Sequence, residues 1–370
     1  MNWNWDLNKY PQLRCVVPTV FFCLMVYGTW AFIHKLCVKQ LLGRHNHHAA
    51  GIALIVVQSV LFAVISFIWA QILVVGPGRQ PHIAPFELVS TNTTSETQPT
   101  STVPAKLYQC DSNGYPRWCS NCEGLKSLRS HHSSVANYCI PRFDHYCIWL
   151  GTTIGKDNYK QFVIFLFYCT VSFGIMWISA IVCYLKYGRH YQEQNNFDGN
   201  LVTLVILGAM GWFFVAGLLL AHISYMVRNL TSLEVIMLNN NKKFKKKHRK
   251  NSEFPTERTV FLSFWDEDRN ERYIIEVTST EFIKCFDKKS YLKNCQEFMG
   301  QNPLLWLFPV AAYKRTQAAS SLEKQYDLDT ILGTYNETVS KNAIVFLKGK
   351  ISRGEYLTTL DAHGDKFLSN

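Results

Sequence analysis

The chain has 370 residues, 48% hydrophobic and 18% charged, with 20 Gly, 12 Pro, 12 Cys and a net charge of +11. Soluble domains usually carry roughly 25% charged residues, and no collagen repeat, disordered chain or small disulfide scaffold has this composition. Mean hydropathy is near zero, so the apolar excess must be concentrated in segments. The placement of the basic residues then decides between nucleic acid and a membrane surface as partner.

Beyond an N-terminal segment of residues 1–15, apolar stretches run from Val16 to Leu36 and from Ile52 to Val75. About 20 residues at 1.5 Å each cross a hydrocarbon core of about 30 Å, so each stretch predicts a membrane-spanning helix. His34 and Lys35 close the first stretch, where a lysine stem reaches the headgroups. Asp6 before it, its length and the lack of a cleavage pattern indicate a retained span rather than a signal peptide. Two further stretches, Phe162 to Leu185 and Leu201 to Ile223, complete four. The last three contain no Asp, Glu, Lys or Arg, whereas a soluble core helix shows a polar face.

The intervening segment, residues 76–161, opens on a Gly76-Pro77-Gly78 turn and passes a Ser/Thr-rich stretch, Ser90 to Thr102, that reads as a linker. It ends in a region rich in Cys and His. In the tail, residues 228–370, a basic run extends from Lys242 to Lys250. Four spans put both termini on one side, and the positive-inside rule makes that side the cytosol. Lys35, Lys39 and Arg44, between the first two spans, weigh the other way. The basic run reads as a contact with anionic membrane lipids; no nucleic-acid motif accompanies it. Strand-like patches at Thr259 to Trp265 and Arg272 to Val277, and an aromatic segment from Phe298 to Phe308, predict a folded tail. The sequons at Asn92, Asn229 and Asn336 carry little weight for positions that face the cytosol or abut the membrane. His222, Cys169 and Cys183, inside the spans, are expected to be packing residues. The expected fold is an α-helical polytopic membrane protein. Four transmembrane helices carry a small cysteine-rich cytosolic domain, about residues 108–160, between helices 2 and 3.

That domain holds a CxxC pair, Cys119 and Cys122, then His131, His132, Cys139, His145 and Cys147. A cytosolic location disfavours disulfides. Thiolates and imidazoles gathered in a short, turn-rich segment suit tetrahedral zinc, which would supply folding energy that so small a segment lacks. From spacing alone, unligated thiols are the other reading.

CxxC, a Lys and Arg, a His, a Cys and then Asp144-His145-Tyr146-Cys147 resemble the cysteine-rich domain of the DHHC protein S-acyltransferases. Tyr146 in place of the usual second His resembles the fungal DHYC branch. The resemblance extends from the first span to about Pro309. It implies a palmitoyltransferase that moves a long-chain acyl group from acyl-CoA to its own cysteine, then to cysteines of substrate proteins near the membrane. Cys147 would be the nucleophile, His145 its base and Asp144 the group that orients the imidazole. The matching ligands of a first zinc are Cys119, Cys122, His132 and Cys139. The positions matching a second zinc are Ser133, Ala136, Tyr146 and Thr153, none a usual ligand, so one zinc is expected. Lys126 and Arg129 match basic positions that contact CoA phosphates, with Ser127 where a Pro is usual. Thr231-Ser232-Leu233-Glu234 matches a Thr-Thr-x-Glu element, whose second hydroxyl lies near the active-site Asp. Asn294, Phe298, Gly300, Asn302 and Pro303 match a C-terminal segment that packs on the membrane domain. The competing readings are a catalytically silent zinc-bearing scaffold and an ion transporter. A transporter's ionisable residues belong inside its spans, whereas here they cluster outside. The sequence sets neither organelle nor protein substrate.

Overall fold

The structure, a computed structural model, describes residues 12–80, 82, 107–193, 198–247, 257–309, 339–360 and 366–368. The Ser/Thr-rich stretch, the sequons at Asn92 and Asn336, and the end of the basic run lie outside the described residues.

Among the described residues, four helices are long and apolar enough to cross a membrane. Helix α1 (Leu13–Trp30) continues with wider, π-type hydrogen bonding over Ala31–Arg44. Helices α2 (His48–Val75), α3 (Tyr159–Glu193) and α4 (Gly199–Val227) follow. Each begins a few residues before its apolar stretch, because backbone hydrogen bonding continues into polar residues that a hydropathy pattern does not count. The end of α2 falls at Val75, where the sequence places it. Gly76 adopts φ +69° and its N–H closes the last turn on Ile72 O, a conformation that costs glycine little. At the opposite end of the bundle, Asp198 caps α4 by accepting from Asn200 N, and Lys35 Nζ lies 3.5 Å from its carboxylate.

The cysteine-rich segment folds as three small antiparallel hairpins. They pair β2 (Trp118–Cys119) with β3 (Gly124–Leu125), β4 (His131–Ser133) with β5 (Tyr138–Ile140), and β6 (His145–Cys147) with β7 (Thr152–Ile154). Strands of two or three residues are not stable alone, so their anchorage matters. A Cβ on Gly155 would lie 2.5 Å from both Ile140 Cγ2 and Pro77 O. Only glycine lets the third hairpin close on the second and on the turn after α2. Below it, one apolar cluster joins Ile65, Ile68 and Ile72 of α2, Phe162 and Phe165 of α3, and Leu150 and Ile154 beside Cys147.

The tail contributes helix α5 (Ser232–Lys247), short helices α6 (Ser279–Lys284) and α7 (Tyr291–Met299), and helix α8 (Lys341–Ser352). Phe298 and Met299 of α7 enter the same apolar cluster, and Asn294 Nδ2 donates to Val227 O at 2.9 Å. Thus the segment after α4 is fastened to the helical bundle. The two strand-like patches form β8 (Thr259–Asp266) and β9 (Glu271–Thr278). With β1 (Leu107–Cys110), β10 (Thr358–Leu360) and β11 (Lys366–Leu368) they build one antiparallel sheet, ordered β1-β8-β9-β10-β11. Leu262, Phe264, Ile275 and Val277 pack there against Leu347 and Ile351 of α8. The aromatic segment Phe298–Phe308 starts in the last turn of α7 and continues through a 3₁₀ turn, Pro303–Leu305.

Candidate active site

Cys119 ends β2, Cys122 lies three residues on in the β2–β3 turn, and His132 and Cys139 face each other across the second hairpin. Two tight turns thus bring four donors together. Cys122 Sγ is 3.2 Å and Cys119 Sγ 3.5 Å from His132 Nδ1. All four donor atoms lie within 4.8 Å of one another. Burial and the two neighbouring sulfurs push the Cys139 thiol up. Three thiols and an imidazole nitrogen at this spacing could hold a metal ion, whose positive charge would favour the thiolates. His131 takes no part; its ring packs 5.2 Å from Phe143.

The four positions without donors also gather. Tyr146 and Thr153 are register partners across the third hairpin. Ser133 Oγ lies 3.5 Å from Thr153 Oγ1 and accepts from Ala136 N at 3.2 Å. Hydroxyl contacts and packing occupy this place.

The alternation of a strand explains the Asp-His-Tyr-Cys run. Residues two apart share a face, so His145 and Cys147 point one way on β6 and Tyr146 points the other, toward Thr153. Asp144, 2% exposed, is held from both sides. Its Oδ1 accepts from Ser232 N at 2.8 Å, and its Oδ2 from Ser232 Oγ and His145 Nδ1, each at 2.7 Å. Ser232 opens α5, so its N–H is one that no helical carbonyl uses, at the positive end of the helix dipole. Burial opposes the charge on Asp144, but His145 and the Ser232 N–H outweigh it and hold the carboxyl below its usual range. Burial likewise opposes the imidazolium of His145, but hydrogen bonds to Asp144 and Cys147 raise it to about 9. The His145 imidazole is thus engaged by Asp144 on one side and by the Cys147 sulfur on the other, placed to exchange a proton with that sulfur.

This ion pair has a definite pH signature. A folded-state value raised from 6.5 to about 9 stabilises the fold fully below about 6.5, and the gain is lost as pH rises toward 9. The lowered Asp144 carboxyl adds stability above its unfolded value, lost as pH falls through the folded one. The melting-temperature gap between wild type and His145→Gln is expected to be widest between about pH 4 and 6.5. It should narrow by pH 9.

Two residues join the centre that the sequence did not assign to it. His222 of α4 bonds through Nδ1 to the Tyr159 hydroxyl at 2.9 Å, and its ring centre is 5.8 Å from that of His145. The signal was present: a lone imidazole in an otherwise apolar span is a functional candidate by default. Cys169 and Cys183 are buried among apolar side chains, as expected of packing residues.

The resemblance implies that Arg129 meets phosphates; in the structure its side chain is 1% exposed and engaged by neighbouring side chains. Nε and Nη2 fork onto Glu234 at 2.8 and 2.6 Å, and Nη1 donates to Asn229 Oδ1 at 3.0 Å. Its face lies 4.5 Å from the Phe286 ring centre. Asn229, in a sequon, is buried by these contacts and by donating to Phe286 O. Glu234 also accepts from Thr231 N at 2.9 Å and its own N–H returns to Thr231 Oγ1, a capping box at the start of α5. Arg129 thus locks the cysteine-rich hairpins to the turn that carries Ser232. Lys126, half-buried on the same stretch, has its backbone N–H on Arg117 O at 2.8 Å. Arg129→Met should cost about 3–5 kcal/mol in thermal unfolding, because Glu234 is left buried and unpaired. Arg129→Met with Glu234→Leu should recover most of that loss.

Residues 112–239 match the profile of the DHHC palmitoyltransferase family. Over nearly its whole length the chain is similar to two proteins named palmitoyltransferase PFA5. That of Saccharomyces cerevisiae is 39% identical, covering 99% of this chain and 98% of the relative. That of Candida glabrata is 41% identical, covering 96% and 95%. A probable protein S-acyltransferase 12 of Arabidopsis thaliana is 28% identical over 56% of this chain and 58% of the relative. The chain belongs to the DHHC palmitoyltransferase family. It is an enzyme of acyl transfer to proteins, built on four membrane-capable helices.

Proposed function

We propose that Cys147 carries a long-chain acyl group, palmitoyl for preference, between acyl-CoA and a cysteine of a substrate protein. The observation that carries this reading is the shared strand face of His145 and Cys147, with Asp144 clamped behind His145 by Ser232. In the first half-reaction the Cys147 sulfur, its proton held by His145, attacks the thioester carbon. A new C–S bond forms, the CoA sulfur leaves and takes the proton from His145. In the second, a substrate thiol passes its proton to His145 and attacks the acyl-enzyme, and the Cys147 sulfur leaves as thiolate. Each step exchanges one thioester for another, so neither needs ATP.

Cys147 shares an apolar cluster with α2 and α3, which supports a chain lying among the spans with its carbonyl at the interface. Each buried CH₂ contributes about 0.8 kcal/mol, so long chains are favoured over acetyl. Lys126 is the cation proposed for the CoA phosphates, with Arg129 acting through Glu234. Cys119, Cys122, His132 and Cys139 suit one zinc, which would supply structural support to the hairpins. Residues 1–15, the loop 76–161 and the tail 228–370 face the cytosol in this reading, and residues 16–75 and 162–227 hold the spans.

Incubation of the purified protein with labelled palmitoyl-CoA tests the reading. Label released by neutral hydroxylamine and mapped to Cys147 supports it. A protein that stays unlabelled, or whose label resists hydroxylamine, overturns it.

A further inference from the structure

His222 is the one imidazole of α4, and it is 4% exposed. An ionisable side chain inside a span costs free energy, so it persists where it has a task. An apolar residue of the same size would fill the space without that cost. Instead two polar groups are paired there: the Tyr159 hydroxyl, itself buried, and His222 Nδ1. Tyr159 opens α3, so the pair ties the third and fourth spans directly beneath the reactive hairpin.

The pair stands against the acid–base residues. One donor atom each of Asp144, His145 and His222 lie within 4.8 Å of one another. Phe162 meets the His222 ring edge-on at 5.0 Å and the His145 ring edge-on at 5.3 Å. The titratable groups facing His222 are Asp144 and His145 from the hairpin, Tyr159 from α3, and Tyr225 one turn along α4. The hydrogen bond between the hydroxyl and Nδ1 fixes the orientation of the His222 ring.

His145 needs such support. Its side chain is 30% exposed and is hydrogen-bonded to Asp144 and Cys147. Those bonds engage the ring nitrogens and leave the ring faces to be held by neighbouring side chains, and a misplacement of about 1 Å can cost on the order of a hundredfold in rate. We propose that His222, oriented by Tyr159, is a positioning residue for acyl transfer: with Phe162 it walls the His145 imidazole so that its second nitrogen stays aimed at Cys147. This rests on Cys147 being the acyl carrier.

The test compares full-length wild type, His222→Phe, His222→Gln and Tyr159→Phe in detergent. Three quantities are read: kcat and KM for Cys147 acylation by palmitoyl-CoA, the pH profile of Cys147 alkylation by iodoacetamide, and the melting temperature. His222→Phe is expected to lower kcat about tenfold or more at unchanged KM. It should also move the alkylation midpoint to higher pH. His222→Gln can still accept from Tyr159 and should recover most of the rate, while Tyr159→Phe should lose part of it. The proposal is overturned if folded His222→Phe acylates within about twofold of wild type with an unmoved alkylation profile. It is equally overturned if the Phe, Gln and Tyr159→Phe variants all lose rate only in step with melting temperature. Unlabelled wild type would instead remove the acyl-carrier reading, and the alkylation profiles would still decide what His222 does to the Asp144–His145–Cys147 group.

Discussion

Cys147→Ala is expected to take up no hydroxylamine-sensitive label from palmitoyl-CoA while melting close to wild type. Cys147 is 7% exposed and sits in the cluster that joins the third hairpin to α2 and α3. Losing one sulfur from such a site costs about 1 kcal/mol, small against complete loss of the nucleophile. His145→Ala keeps the nucleophile and removes its proton carrier, so acylation should fall by roughly 10²–10⁴. Asp144→Asn should approach the same loss, because an amide cannot hold the proton on Nδ1 and leave Nε2 for the thiol. Ser232→Ala removes one of three hydrogen bonds to Asp144 and should be the mildest of the four. Full labelling of Cys147→Ala, or equal rates in His145→Ala and wild type, would falsify this assignment.

Metal removal is expected to have the second large effect, on the fold of the loop rather than on chemistry. Hairpins of two- and three-residue strands have little apolar area of their own, and a structural zinc contributes about 10–16 kcal/mol in small peptides. Cys139→Ser, or prolonged treatment with a strong chelator, should therefore release the metal and expose residues 118–140 to protease. Acylation should disappear as well, although no reactive residue has changed. The four helices should keep their far-ultraviolet dichroism, since their packing is separate from the cluster. Metal analysis of wild type should return about one zinc per chain, from one set of four donors. Two per chain would show that Ser133, Ala136, Tyr146 and Thr153 are supplemented by ligands from elsewhere.

Much of this was readable in the sequence, for identifiable reasons. A span announces itself through some twenty local residues, and the glycine after Val75 marks its own helix end. The alternation in His145-Tyr146-Cys147 puts the first and last side chains on one strand face and Tyr146 on the other. The part that stayed hidden is non-local. Arg129 looks like a free cation until Glu234, 105 residues away, is found against it. Leu107–Cys110 carries no sign that its strand partner is Phe261–Phe264. His222 was visible but read as packing, because the pattern of an apolar helix does not reveal what faces it.

The pairing of Leu107–Cys110 with the C-terminal sheet has a consequence for biogenesis. A ribosome that has just released α4 has not yet made the strand against which the loop must close. The partner Thr259–Asp266 emerges later, and the strand flanking Glu271–Thr278 comes from the last dozen or so residues of the chain. Early stop codons near residue 355 would thus remove two strands and uncover Glu271–Thr278 as a new, longer sheet edge, even though Asp144, His145 and Cys147 have already been synthesised.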